Sequence, residues 1–135
     1  MQKAIICDLD GTLALFGDAN PYDRDFSKDT LNPAVADVLK RYHKDKIEIL
    51  IVSGRSDKFK EMTLKWLETN KIPFTWLTMR KEGDVRKDVI VKQEIYEVTI
   101  KYLYKVLFVL DDRNQVVEFW RSQGLTCFQV AEGNF

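Results

Sequence analysis

Residues 7–14 read Cys7-Asp8-Leu9-Asp10-Gly11-Thr12-Leu13-Ala14 and follow directly on the apolar run Ala4-Ile5-Ile6. A short apolar run bounded by turn formers reads as a buried strand. This one ends in two carboxylates that repel each other. Asp and Gly are common turn residues, so a polar turn closing a strand accounts for Asp-Leu-Asp-Gly taken alone. The rest of the chain decides whether the pair has a further purpose.

Apolar runs alternate with amphipathic ones along the chain, the pattern of an α/β domain with a parallel sheet. The expected strands are Lys3 to Asp8, Ile47 to Ser53, Phe74 to Met79, Lys105 to Asp111 and Leu125 to Val130. Their near-continuous hydrophobicity suits strands covered on both faces. Asn32-Pro33 supplies a cap and a first-turn proline for a helix with Val35, Val38, Leu39 and Tyr42 on one stripe. Ser56 is expected to cap a second helix carrying Phe59, Met62, Trp66 and Leu67. Val91, Ile95, Val98 and Tyr102 mark a third, and Val116, Val117 and Trp120, stopped by Gly124, a fourth. With 135 residues and neither repeat nor linker, residues 1–135 are expected to form one domain.

Ligands of open parallel sheets gather where the strands' carboxyl ends meet the loops. Three expected ends read Asp-Leu-Asp-Gly-Thr, Val-Ser-Gly-Arg and Leu-Asp-Asp-Arg. Together they bring Asp8, Asp10, Asp111 and Asp112 to one edge, a costly arrangement without a cation and one that hard, oxygen-seeking Mg²⁺ relieves. The period of two directs Asp8 and Asp10 to the same side, one suited to attack phosphorus and the other to pass a proton to the leaving oxygen. Gly11 permits a sharp exit that frees backbone amides, and Thr12 adds a hydroxyl beside them. Ser53 can donate to a phosphate oxygen, and Lys92 is the expected cation, held by Asp88 one helical turn earlier. Taken alone, Asp88 and Lys92 read as one more surface ion pair of little energetic value.

In this order, these four segments resemble the motifs of the haloacid dehalogenase (HAD) superfamily of phosphohydrolases over nearly the whole chain. The resemblance implies a Rossmann-like three-layer α/β sandwich with a five-stranded, mostly parallel sheet and a minimal cap. It also implies an aspartyl-phosphate mechanism. Asp8 is then the nucleophile and Asp10 the general acid/base, with Mg²⁺ held by Asp8, the Asp10 carbonyl and the Asp111/Asp112 pair, and phosphate contacted by Ser53 and Lys92.

Only about twenty residues separate the first motif from Asn32, and fewer than about ten lie between Met79 and Asp88, too few for a capping domain. An open cleft buries a small metabolite poorly and admits the end of a polymer. The segments Asn20 to Asp23, Val52 to Arg55, Met79 to Ile95, Leu110 to Arg121 and Phe128 to Phe135 further resemble the 3′-phosphatase domain of phage polynucleotide kinase-phosphatase. That similarity implies DNA or RNA 3′-phosphate ends as substrate, with Arg55 and Arg80 at the nucleotide's phosphate-sugar end and Asp88 beside them. The chain departs from the family pattern just before Pro21, where Ala19-Asn20 replaces a basic residue and Arg24 comes only afterwards. Phe16 and Tyr22 in the same loop are suited either to stacking on a base or to packing the loop down. No GxxxxGK[ST] loop is present, so a 5′-kinase would be a separate or fused partner.

Lysine plus arginine equals aspartate plus glutamate at 21 each, so a polyanion must be met by a local patch. Arg80, Lys81, Arg86 and Lys87 cluster near the expected rim, diluted by Glu82 and Asp84, as in any solvated loop. Cys7 and Cys127 sit in apolar surroundings and read as buried free thiols. His43, the one histidine, falls on a helix's polar edge and reads as a surface residue. No secretory signal or membrane-length apolar run is present, and the expected location is cytoplasmic. The leading expectation is a Mg²⁺-dependent polynucleotide 3′-phosphatase. A small-molecule phosphatase, such as a nucleotidase or sugar phosphatase, and a non-catalytic nucleic-acid or partner-binding module are the alternatives.

Overall fold

The computed structural model describes residues 1–135. Five strands, β1 (Gln2–Cys7), β4 (Glu48–Ser56), β5 (Trp76–Arg80), β6 (Tyr104–Asp111) and β7 (Cys127–Gln129), form one sheet in the order β5-β4-β1-β6-β7. Every pairing in it is parallel. Between the first two lies a two-residue hairpin, β2 (Ala14–Leu15) with β3 (Thr30–Leu31), its loop carrying a single 3-10 turn at Phe26–Lys28. This is all the cap the first loop builds.

The strands alternate between two cores, as a period of two requires. Ile5, Cys7, Ile49, Ile51, Phe108 and Leu110 face helices α1 (Pro33–Lys44) and α2 (Lys60–Thr69), which contribute Leu39, Trp66 and Leu67. Ala4, Ile6, Leu50, Val52 and Val109 face α3 (Asp88–Ile95) and α4 (Asn114–Ser122), with Val91, Val116 and Trp120. Each fully buried aliphatic such as Ile5 or Ile51 contributes about 1.5–3 kcal/mol. The chain moves from β1 out to β5, then returns to the far side of β1 with β6. That reversal puts the sheet's switch point between β1 and β6, where ligands of such sheets bind.

Several local expectations shift. Asn32 caps α1 without a side-chain bond, its amide instead donating to the Thr12 carbonyl at 3.0 Å and tying the helix to the first motif. Ser56 caps a 3-10 turn, Asp57–Phe59, that precedes α2, and Phe59 is itself the helix cap. Tyr42 and Met62 lie at the exposed margins of their stripes. Beyond α3 the chain winds into a π turn, Tyr96–Ile100, in which the Lys101 amide donates to the Tyr96 carbonyl at 2.8 Å. The extra residue rotates the next side chains about the helix axis by about 100°. Ile95, Tyr96 and Ile100 are therefore buried, while Val98 and Tyr102 face solvent. Cys7 and Cys127 are buried and free, and His43 is exposed. No helix is long and apolar enough to cross a membrane.

Candidate active site

The first motif begins where β1 ends. The Asp8 amide donates to the Leu110 carbonyl at 2.9 Å, which keeps the two central strands in register up to their acids. Gly11, at φ +82°, turns the chain so that the Gly11 amide reaches the Ala14 carbonyl and the Ala14 amide the Leu9 carbonyl, both at 2.8 Å. A Cβ at Gly11 would lie 2.1 Å from Asp112 Oδ2, so the turn needs glycine for its space as well as its dihedral angle.

The carboxylates of Asp8, Asp111 and Asp112 converge with ligand atoms within 4.8 Å of one another. Lys92 Nζ, buried at the centre, donates to Asp8 Oδ1 at 2.7 Å and Asp111 Oδ2 at 3.2 Å, with Asp88 Oδ2 at 3.7 Å. The Thr12 hydroxyl donates to Asp8 Oδ2 at 2.9 Å and lies 3.3 Å from Asp112 Oδ1. Asp111 is the most committed of the three. Its Oδ2 also accepts from the Trp120 indole at 3.1 Å, and its Oδ1 accepts from the Asp112 amide at 2.8 Å. The Asp112 carboxylate has Thr12 alone.

Burial first, then the neighbouring Asp111, pushes the Asp8 carboxyl well above the usual carboxylate range against the pull of Lys92. Burial likewise raises Asp112. Burial acts to lower Lys92, but Asp111, Asp8 and Asp88 outweigh it and hold the ammonium charged. With all three ionised, the buried acids would exceed the one buried cation by two charges, and their all-oxygen donor set fits a hard divalent cation.

Asp10 does not join this cluster. It lies beyond the strand, in the turn, and its carboxylate points away to two arginines. Its Oδ1 accepts from Arg24 Nη2 and Arg55 Nη2, each at 2.6 Å, while Oδ2 has a single 3.4 Å contact with Arg55 Nε. At 23% its side chain is open to the cleft, against 7% for Asp8. Asp29 completes the clamp, its carboxylate gripping Arg24 from both oxygens at 2.8 and 2.7 Å and reaching Arg55 at 3.3 Å. Both guanidiniums stack on Phe26, at 4.5 and 3.9 Å, and Arg24 also covers Phe16 at 4.1 Å. Arg24 is thus turned inward onto Asp10, and Phe16 packs the loop down, while Tyr22 remains 67% exposed.

Ser53 is buried within the C-terminal half of β4, its hydroxyl oxygen accepting from the Arg55 amide at 3.0 Å. Gly54 is required by Asp88, whose Oδ1 would lie 1.7 Å from a Cβ there. Asp88 gathers Arg80 at 3.6 Å and Arg113 at 3.7 Å as well as Lys92. Arg80 Nε donates to the Gly54 carbonyl at 2.7 Å and its Nη1 to the Asp84 carbonyl, bracing the rim loop. The structure therefore unites Asp8, Thr12, Lys92, Asp111 and Asp112, places Ser53 and Asp88 around them, and sets Asp10 with Arg55 as a second group. Sequence reasoning missed Asp29, Phe26 and Trp120. A buried indole needs an acceptor, which was the one signal available for Trp120. The two groups border a cleft of 480 Å³ also lined by Tyr22, Phe59 and Phe135.

A parallel sheet with these carboxylates at its switch point is the framework of a HAD phosphatase. The chain belongs to that class and, more narrowly, to the polynucleotide kinase PNKP phosphatase domain family, which it matches over residues 2–135. It is 35% identical over 134 residues to a protein of Autographa californica nuclear polyhedrosis virus named as a bifunctional polynucleotide kinase/RNA ligase, covering 95% of this chain and 19% of that one. A chain in the Pnkp1/Rnl/Hen1 complex superimposes with a TM-score of 0.96 at 43% identity, covering 100% of this chain and 48% of that one. The Class C acid phosphatase from Bacillus anthracis shares the fold, with a TM-score of 0.70 at 19% identity over 98% of this chain and 66% of its own. The chain thus spans under half the length of the Pnkp1/Rnl/Hen1 relative and about a fifth of the viral one.

Proposed function

We propose that this chain is a Mg²⁺-dependent phosphatase that removes the 3′-phosphate from nucleic-acid ends through an aspartyl-phosphate on Asp8. The observation that carries the reading is the buried Asp8-Lys92-Asp111-Asp112 cluster, which reaches through Asp112 a cleft bordered by the loop between β2 and β3 and by the loop after β5. Asp8 attacks phosphorus, and the bond to the 3′ oxygen breaks as Asp10 delivers a proton to it. Water then attacks the aspartyl-phosphate, giving its proton to Asp10 and releasing phosphate and free Asp8. Asp10 Oδ2, with only its 3.4 Å contact, is the oxygen free to carry that proton, while Oδ1 stays pinned by Arg24 and Arg55. Ser53 and Lys92 meet the phosphoryl oxygens. Held there, Mg²⁺ would supply positive charge to the phosphoryl oxygens and to the cluster. Asp8 and Asp112 would be its side-chain ligands, because the Asp111 carboxylate already accepts from Lys92, Trp120 and a backbone amide, whereas that of Asp8 accepts only from Lys92 and Thr12 and that of Asp112 only from Thr12. The names of the relatives support a nucleic-acid end, RNA in particular, and a kinase or ligase as the fused or separate partner.

The test is phosphate release with and without Mg²⁺ from a 3′-phosphorylated oligonucleotide, its 5′-phosphorylated isomer, a 3′-mononucleotide and a sugar phosphate. The 3′-phosphorylated substrates should be preferred, and equal turnover of the sugar phosphate would support a small-molecule phosphatase instead.

Because Mg²⁺ binds ionised carboxylates, it should stabilise the fold more as pH rises. The raised Asp8 and Asp112 carboxyls make ionisation costly to the folded protein, and the metal offsets that cost. At a hundred times its Kd, Mg²⁺ should add about 2.7 kcal/mol and raise Tm at pH 8 by about 10 °C, with a smaller rise at pH 5. A thermal melt against an EDTA control reads this directly, and an equal shift at both pH values would contradict it.

Asp29→Asn should loosen the clamp without touching substrate. We expect kcat to fall about 10²-fold with KM changed little, since a misplaced general acid slows chemistry more than binding. A rise in KM with kcat intact would instead put Asp29 in substrate binding.

A further inference from the structure

The cleft is lined by six cations and four carboxylates, a local positive excess in a chain whose formal net charge is zero. Four of the six cations are already committed. Arg55 holds Asp10 at 2.6 Å, Arg80 and Arg113 face Asp88 at 3.6 and 3.7 Å, and Arg86 holds Asp84 at 2.8 Å and Glu94 at 2.7 Å. The other two are Lys58 and Lys87, both exposed and neither paired with a carboxylate. Lys58 follows β4 in the 3-10 turn, with its ammonium 5.0 Å from the Phe59 ring centroid. Lys87 caps α3, across the loop that follows β5.

A phosphate that turned to one of the four arginines would have to compete with a carboxylate already in place. At either lysine it meets an uncommitted charge. A flexible, hydrated ammonium is suited to a phosphodiester whatever its sequence, whereas a fixed guanidinium fork favours one geometry. The terminal phosphate is accounted for by Ser53, Lys92 and the metal, so the anions that reach the lysines must come from elsewhere on the substrate.

We infer that Lys58 and Lys87 form a backbone subsite that grips internucleotide phosphates upstream of the 3′ end and makes the protein prefer a polymer to a mononucleotide. The inference rests on the 3′-phosphatase reading above. It accounts for how a chain without net charge holds a polyanion: ion pairs silence the arginines of the cleft, and two lysines on opposite segments keep the surplus.

The experiment measures kcat/KM for a 3′-phosphorylated single-stranded oligonucleotide and for a 3′-mononucleotide across a range of salt, in the wild type and in Lys58→Gln, Lys87→Gln and the double variant. Each substitution should make the slope of log kcat/KM against log salt shallower by about 0.7 for the oligonucleotide. The oligonucleotide-to-mononucleotide ratio should fall about tenfold in the double variant at low salt. A Lys40→Gln/Lys44→Gln control on α1, away from the cleft, should retain the wild-type slope. Unchanged slope and ratio in the double variant, or an equal change in the control, would overturn the subsite while the 3′-phosphatase reading stands. Failure of the wild type to release phosphate from either substrate would overturn both.

Discussion

Asp8→Asn protein is expected to lose phosphate release by a factor on the order of 10⁶ while remaining folded, the scale of loss when a covalent nucleophile is removed. Its stability should move the other way. The Asp8 carboxyl is raised by burial and by Asp111, so the folded protein holds that proton more tightly than the unfolded chain does. In the absence of metal, stability from this group is therefore lost as pH rises from the ordinary value of 3.8 through the folded one. An amide cannot ionise, and Lys92 keeps Asp111 at 3.2 Å and Asp88 at 3.7 Å. In EDTA at pH 8 the variant should be at least as stable as the wild type, with the difference narrowing toward pH 4. Urea denaturation at the two pH values measures this. Substantial residual turnover would remove Asp8 as the nucleophile, and a large destabilisation at pH 8 would show that the Lys92 pair outweighs the cost of burial.

Lys92→Met should damage both properties. The substitution retains the stem and removes the charge, leaving Asp8, Asp111 and Asp112 to face one another. Removing one partner of a buried ion pair costs about 3–5 kcal/mol, and losing a donor to the transferring phosphoryl group costs at least about 10²–10³ in kcat. Lys92 lies above its ordinary value of 10.5, so its own contribution is fully present below that value and is lost only as pH rises through the folded one. Any pH dependence of the variant between 5 and 8 therefore reports the uncompensated acids. The destabilisation should be larger at pH 8 than at pH 5, where the acids take up protons, and Mg²⁺ should recover part of it. A variant as stable and active as the wild type would put Lys92 outside the site.

The strand ends carried most of what the sequence could tell. Asp8, Ser53 and Asp111 terminate apolar runs, and a parallel sheet gathers such ends on one edge, so their meeting follows from topology. The clamp on Asp10 does not. Asp29 shares its loop with Asp23 and Asp25, and nothing in one dimension marks it as the acid that turns inward to Arg24 and Arg55. Asp10 itself was expected beside Asp8 on the assumption that the strand stays extended, whereas β1 ends at Cys7 and Asp10 lies in the turn closed on the Leu9 carbonyl. Val98 and Tyr102 fit a regular helical period that the π turn breaks, a change set by packing of Tyr96 and Ile100 against the sheet. Arg24, the first basic residue after Pro21, faces Asp10 instead of solvent.

Acid quenching of wild-type and Asp10→Asn protein across a first turnover, with enzyme in excess of an oligonucleotide carrying a labelled 3′-phosphate and with Mg²⁺, tests the nucleophile most directly. Asp10→Asn slows both steps, and label that crosses to the protein should be held there by the loss of the base for water, be released by hydroxylamine and map to Asp8. Label passing from oligonucleotide to inorganic phosphate in both proteins with none on the chain would contradict the aspartyl-phosphate route.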